Sequence, residues 1–156
     1  MILIDSPGWG RREIEHIVLD FNGTLACDGK LLVDVDHRLA KLSIKARLHL
    51  CTADYFGTVA DETRRFDLAI KVLKTNNQVQ EKAEFIRRLG PLQVVAIGNG
   101  GADLQMLKEA ALGIAVIGPE GACSQTIMAA DVVCSDIQEA LDLLLYTKRL
   151  ASTLQR

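Results

Sequence analysis

No apolar run in this chain is long enough and uncharged enough to span a bilayer, so a membrane partner is not expected. There is no basic block either. Eighteen Lys and Arg are dispersed among twenty Asp and Glu, and a formal charge of −2 gives no electrostatic case for nucleic acid or an anionic surface. The N-terminus lacks a basic flank before a long apolar stretch, so a secretory signal is not expected. Cys27, Cys51, Cys123 and Cys134 are far apart and lack the spacing of a CxxC pair. They read as reduced thiols of a cytoplasmic protein, mostly buried. The same spacing argues against a zinc site built from them and His16, His37 and His49. Internal repeats and low-complexity stretches are missing as well.

What is present is the material of one ordinary domain. At 156 residues and 49% apolar content, the expectation is a single unit over residues 1–156 with a real core. Short apolar runs alternate with amphipathic stretches, the pattern of a parallel sheet covered on both faces. The runs are Ile17–Phe21, Leu48–Cys51, Leu68–Leu73, Val94–Ile97, Ile114–Ile117 and Val132–Cys134. Helical spacing recurs in Val35, Leu39, Leu42 and Ala46, in Val79, Ala83, Ile86 and Leu89, and in Leu104, Leu107 and Ala111. Gly90-Pro91 ends the second of these helices. Ile137–Leu145 reads as a last helix, after which Tyr146–Arg156 is expected to fray or to meet a partner subunit. Met1–Ile4 reads as an extra strand, residues 7–10 as a loop and residues 27–30 as a tight hairpin turn. Trp9 is open between filling a sheet edge and a subunit contact. The fold expected is a three-layer α/β sandwich, Rossmann-like, with a parallel sheet of about five or six strands and no separate cap domain.

In such a sheet, chemistry gathers beyond the carboxyl ends of the strands. Four places in the sequence fall there: Asp20 with Asn22, Thr52, Lys82 at the start of its helix, and the loop from Gly98 to Asp103. A carboxylate, a hydroxyl, an ammonium and a Gly-rich acidic loop make a site for phosphate and Mg²⁺. Thr52 and backbone N–H groups, those of Gly23, Thr24 and Ala53 among them, are expected to hold phosphoryl oxygens, and Lys82 to neutralise the transferring group. Asp54 reads as a helix cap. Asp28 and Lys30 stay open between substrate contact and plain hairpin surface.

These residues resemble the haloacid-dehalogenase-type (HAD) hydrolases, and within them the small proteins described as soluble relatives of P-type ATPases. Asp20-Phe21-Asn22-Gly23-Thr24 is similar to the first family motif, and the resemblance implies that Asp20 is the phosphorylated nucleophile. Cys51-Thr52 fits the second motif, and Lys82 fits the third better than Lys74 does. Gly98-Asn99-Gly100-Gly101-Ala102-Asp103 is similar to the acidic fourth. Leu112–Val116 and residues 129–133 resemble the tail strands of P-type ATPase phosphorylation domains.

The resemblance implies a Mg²⁺-dependent phosphatase or phosphotransferase acting on a small phosphorylated compound through an aspartyl phosphate. Its metal ligands would be Asp20, the Asn22 carbonyl, Asn99 and Asp103. Two departures stand out. The family's phosphatases usually carry an acid–base Asp where Asn22 stands, and an amide cannot shuttle a proton. Asn99 occupies a place where an Asp usually ligates the metal. Slow turnover, or the alternative of a phosphate-binding regulatory protein with weak or absent catalysis, follows from these two. A dehalogenase would carry Tyr in place of Asn22. Capless relatives often shelter the site with neighbouring subunits, so a homo-oligomer, tetramer or dimer, is expected.

Overall fold

The computed structural model describes residues 1–156. Six strands form one wholly parallel sheet: β3 (His16–Leu19), β6 (Arg47–Thr52), β7 (Leu68–Val72), β8 (Val94–Gly98), β9 (Leu112–Val116) and β10 (Val132–Cys134). Their spatial order is β10-β9-β8-β3-β6-β7. Two small antiparallel pairs lie outside it, β1 (Ile2–Ser6) with β2 (Gly10–Ile14) and β4 (Ala26–Cys27) with β5 (Lys30–Leu31). Every side chain of β3, β8 and β9 is buried, which is why these segments read as unbroken apolar runs rather than alternating ones.

Helices cover both faces. α1 (Asp36–Ser43) packs on α6 (Ile137–Leu145), α6 on α7 (Thr147–Leu154), and α7 on β1. α3 (Gln78–Leu89), α4 (Leu104–Glu109) and α5 (Ser124–Ala129) make the opposite layer. α2 (Val59–Thr63) is a single turn whose Val59 joins the core of the first layer. The sheet divides two cores. Ile17, Leu19, Leu50 and Ile97 face α1 and α6, whereas Val18, Cys51, Ala96 and Ile86 form the smaller cluster under α3 and α4.

Helix ends follow local chemistry. Asn77 caps α3 by accepting a hydrogen bond from the Gln80 N–H, and Gly90 at φ 92° stops it ahead of Pro91. Asp136 caps α6 through the Glu139 N–H. Asp54 accepts from the N–H groups of Thr58 and Val59 and so caps α2.

The C-terminal segment departs from expectation. Residues after Tyr146 do not fray: α7 buries Leu150 and Leu154, Ser6 Oγ donates to the Ala151 carbonyl, and the Arg156 N–H reaches the Pro7 carbonyl. Its apolar stripe is short because it covers a two-stranded ribbon rather than the main sheet. The ribbon itself was half visible: β1 was expected, but its partner β2 reads Gly-Arg-Arg-Glu-Ile, with a charged outer face that hides the strand. Trp9, at the ribbon's turn, packs on the main core with the Arg12 guanidinium 5.0 Å from its ring centre.

Parallel register aligns the strand ends. Leu19 of β3 sits opposite Leu50 of β6 on one side and Ile97 of β8 on the other. Asp20, Thr52 and Asn99 therefore emerge at the same edge of the sheet. Between β3 and β6 stand only the β4–β5 hairpin and α1, and between β6 and β7 only α2.

Candidate active site

Asp20 follows β3 directly and keeps sheet geometry through its N–H to the Ile97 carbonyl. Its side chain is buried, with 8% of the residue exposed. Lys82 comes from the first turns of α3, on the face that also buries Ala83 and Ile86, and is 2% exposed. Its ammonium donates to Asp20 Oδ1 at 2.7 Å and to Asp103 Oδ1 at 2.6 Å. Asp103 closes a short 3-10 turn, and its other oxygen accepts the N–H groups of Asn99 and Gly100, both at 3.0 Å. Three segments distant in sequence thus converge on one ammonium.

The charges do not cancel. Two buried carboxylates face one lysine. Burial, and then the Asp103 carboxylate, push the Asp20 carboxyl up to about 6 although Lys82 pulls the other way. Burial alone would lower the Lys82 ammonium, but the two carboxylates more than offset this and hold it above its ordinary value. The site keeps one lysine firmly charged and one negative charge in excess.

Thr24 and Asn99 support the carboxylates. Thr24 Oγ1 lies 3.3 Å from both Asp20 Oδ2 and Asn99 Oδ1, and the residue is fully buried. Asn99 also donates through Nδ2 to the Gly121 carbonyl, and its own carbonyl accepts the Cys123 N–H. Gly23, at φ 85°, admits this approach: a Cβ there would come within 2.5 Å of Asn99 Nδ2 and 2.6 Å of Glu120 Oε2.

A cavity of about 330 Å³ opens over this cluster, lined by Asp20, Asn22, Thr52, Ala53, Lys82, Asn99 and Asp103 together with Tyr55, Gln78 and Glu120. Thr52 presents a buried hydroxyl that accepts the Asp54 N–H at 3.0 Å and retains its own proton to donate. Asn22 accepts the Gly29 N–H on Oδ1 at 3.1 Å, fastening the β4–β5 hairpin beside the site.

Some expected contacts are not made. The Gly23 N–H is spent on the Ala26 carbonyl and the Thr24 N–H on the Phe21 carbonyl, so neither points a free donor at the cavity. Their place in the turn, which demands internal hydrogen bonds, explains this. Asp28 and Lys30 are exposed on the hairpin and do not line the cavity. Lys74 is exposed, and its N–H is capped by Glu81. Conversely, Tyr55, Gln78 and Glu120 line the cavity without having been singled out. Glu120 sits on a Gly-Pro-Glu-Gly turn four residues beyond the end of β9, at the same sheet edge as Asp20 but without its place directly after a strand.

The fold is that of the HAD superfamily hydrolases. A HAD superfamily (subfamily III A) hydrolase of Legionella pneumophila superposes with a TM-score of 0.71 over 90% of this chain and 87% of that one, at 17% identity. The 3-deoxy-D-manno-octulosonate 8-phosphate phosphatase of Moraxella catarrhalis, crystallised with magnesium, phosphate and its sugar, matches with a TM-score of 0.70 over 89% and 90% at 19% identity. A cobalt-bound octulosonate 8-phosphate phosphatase of Haemophilus influenzae gives 0.71 over 90% and 92% at 14% identity. In sequence, the chain is 56% identical to an uncharacterised protein of Methanocaldococcus jannaschii over 61 residues, which are 39% of this chain and 66% of that one, just short of two thirds. No family model matches. No helix is long and apolar enough to cross a membrane.

Proposed function

We propose that the chain is a Mg²⁺-dependent phosphatase or phosphotransferase that works through an aspartyl phosphate on Asp20. The observation that carries this reading is the Lys82 ammonium held between Asp20 and Asp103 under an open cavity. The excess negative charge fits a divalent cation, since Mg²⁺ takes one or two carboxylates and fills its octahedron with neutral oxygens, phosphate and water. Asp20, Asp103, Asn99 Oδ1 and the Asn22 carbonyl are the donors that would hold it. When bound, it would supply positive charge to the transferring phosphoryl group.

The chain's own residues divide the remaining work. Asp20 attacks phosphorus in line with the leaving oxygen. Lys82 neutralises the transferring oxygens, and Thr52, with backbone N–H groups near Ala53, binds them. Thr24 and the two N–H groups on Asp103 keep both carboxylates in place. Water then hydrolyses the aspartyl phosphate slowly, because the Asn22 amide is a poor base for the proton of the attacking water. General acid–base help is typically worth about 10²- to 10⁴-fold, which sets the scale of the handicap.

Exposed Tyr55 and Phe56 beside the hairpin support a second element of the reading, a dimer or tetramer in which neighbouring copies shelter the open mouth. Native mass measurement tests it.

The activity itself is tested with acetyl phosphate and p-nitrophenyl phosphate, with and without Mg²⁺, beside an Asp20→Asn control. Hydrolysis that needs Mg²⁺ and vanishes in the control is the expected result. Equal rates in the two proteins would overturn the reading. Mg²⁺-dependent phosphate binding without turnover would favour the regulatory alternative that Asn22 and Asn99 motivate.

A further inference from the structure

The rim of the cavity has its own chemistry, separate from the phosphate end. Among the side chains lining it, four are charged: Asp20, Lys82, Asp103 and Glu120. Lys82 is the only cation, and both of its short contacts go inward to Asp20 and Asp103. It serves the phosphoryl end and cannot reach out to a second anionic group. The outer wall consists of hydrogen-bonding neutral groups and one carboxylate. Gln78 Nε2 donates to the Tyr55 hydroxyl at 2.7 Å, leaving the Tyr55 proton and the Gln78 oxygen free. Glu120 is exposed and takes part in none of the ion pairs.

Glu120 is nevertheless held over the site. Its turn is closed by the Gly121 N–H to the Gly118 carbonyl at 2.9 Å and pinned by Asn99 Nδ2 to the Gly121 carbonyl at 3.1 Å. Its Oε2 stands 2.6 Å from where a Gly23 Cβ would be, directly above the turn that follows Asp20. A leaving group extending from a phosphate at Asp20 therefore passes a free carboxylate and meets no cation.

We propose that this site accepts phosphate esters whose leaving group is neutral and hydroxylated or carries an amine, and that Glu120 excludes carboxylated ones. The inference rests on the phosphatase reading and names the substrate class for the same site. It also sets the chain apart from its structural neighbours, whose octulosonate 8-phosphate is the ester of a sugar acid. Two like charges a few ångströms apart at a wet rim repel by an amount worth about five- to tenfold in affinity.

Three acyclic hexose derivatives that differ mainly in charge make the test: 2-amino-2-deoxyglucitol 6-phosphate, glucitol 6-phosphate and 6-phosphogluconate. Each is measured as a competitive inhibitor of Asp20-dependent p-nitrophenyl phosphate hydrolysis by the full chain with Mg²⁺. The first two are expected to bind about five- to tenfold more tightly than the third. Glu120→Gln should narrow that gap and Glu120→Lys reverse it, with melting curves confirming that both variants fold. Glu120 is exposed, so neither substitution disturbs a core. Equal inhibition by all three esters, tightest binding of the gluconate, or a gap unchanged in Glu120→Lys would each overturn the proposal while leaving the phosphatase reading intact. Absence of any Asp20-dependent hydrolysis would remove both.

Discussion

Asp103 takes the Lys82 ammonium on one oxygen, at 2.6 Å, and two backbone N–H groups on the other. Asp20 meets the same ammonium at 2.7 Å with less support, and burial with the Asp103 charge pushes its carboxyl up to about 6. Lys82 is therefore the counter-ion that makes two buried carboxylates tolerable. Lys82→Met should cost about 3–5 kcal/mol in metal-free protein, the usual penalty for a buried charge left unpaired. Asp20→Asn removes the excess charge and leaves the Lys82–Asp103 pair intact, so it should raise stability at neutral pH. Denaturant titrations without Mg²⁺ measure both. A less stable Asp20→Asn protein would mean that Lys82 favours Asp20 over Asp103.

Asn22 offers a gain-of-function test. Its Oδ1 accepts the Gly29 N–H, a contact that an Asp would keep. Asn22→Asp should thus preserve the hairpin and supply a proton shuttle, raising p-nitrophenyl phosphate turnover by about tenfold or more. The wild-type sample must be fresh and checked by mass, because Asn22-Gly23 and Asn99-Gly100 can both deamidate to Asp, the first giving the tested variant itself. An unchanged rate would show that residue 22 stays on the hairpin and never faces the leaving oxygen.

Much of this site was legible because its residues sit at strand ends. A buried parallel strand announces itself as a short apolar run, and whatever follows it must lie at the sheet edge. Asp20, Thr52, Asn99 and Asp103 were found in that way, and Lys82 by its place at a helix start. Roles that depend on where a backbone N–H points were not legible. Nothing in Gly23-Thr24 says that both N–H groups close the turn instead of facing a ligand. Tyr55 and Gln78 reach the rim through a loop and a helix terminus, for which periodicity carries no signal. β2 and α7 were obscured because each covers only a two-stranded ribbon, leaving most of its surface polar.

A pH-dependent element lies far from the site. His16 Nδ1 and His49 Nε2 are 3.0 Å apart on neighbouring strands, with Phe85 edge-on to His49. The pair shares one hydrogen bond, and burial, His16 and Arg47 together lower His49 to about 4. A histidine whose folded pKa is depressed gives stability that is present at high pH. Between about 6.5 and about 4 the unfolded chain binds the proton and the folded chain does not, so stability falls as pH falls through that window. Asp20 works in the opposite sense as its carboxyl loses its proton on approaching pH 6. The difference between wild type and His49→Gln isolates the histidine: the wild type should lose more stability from pH 7 to pH 4 than the variant does. Parallel curves would mean that His49 is protonated within the fold.

Gly98 ends β8 and Gly101 opens the 3-10 turn that follows, and the two should respond differently to alanine. Neither has a positive φ, so the contrast is one of space alone. A Cβ on Gly98 would lie 2.5 Å from both Cγ and Oδ2 of Asp103. The carboxyl would have to leave its two backbone N–H partners, and the turn that presents it would open. A Cβ on Gly101 meets nothing closer than Cys123 Sγ at 3.8 Å. Gly98→Ala should cost about 1–3 kcal/mol through overpacking. It should also cut turnover by roughly a hundredfold, the usual result of moving a reacting constellation by about an ångström. Gly101→Ala should lie within about 0.5 kcal/mol of wild type, as substitutions away from tight contacts usually do. Kinetics and denaturant curves on the pair decide the point. Equal behaviour of the two variants would mean that Asp103 is free to move, and that its position beside Lys82 is not what the site requires.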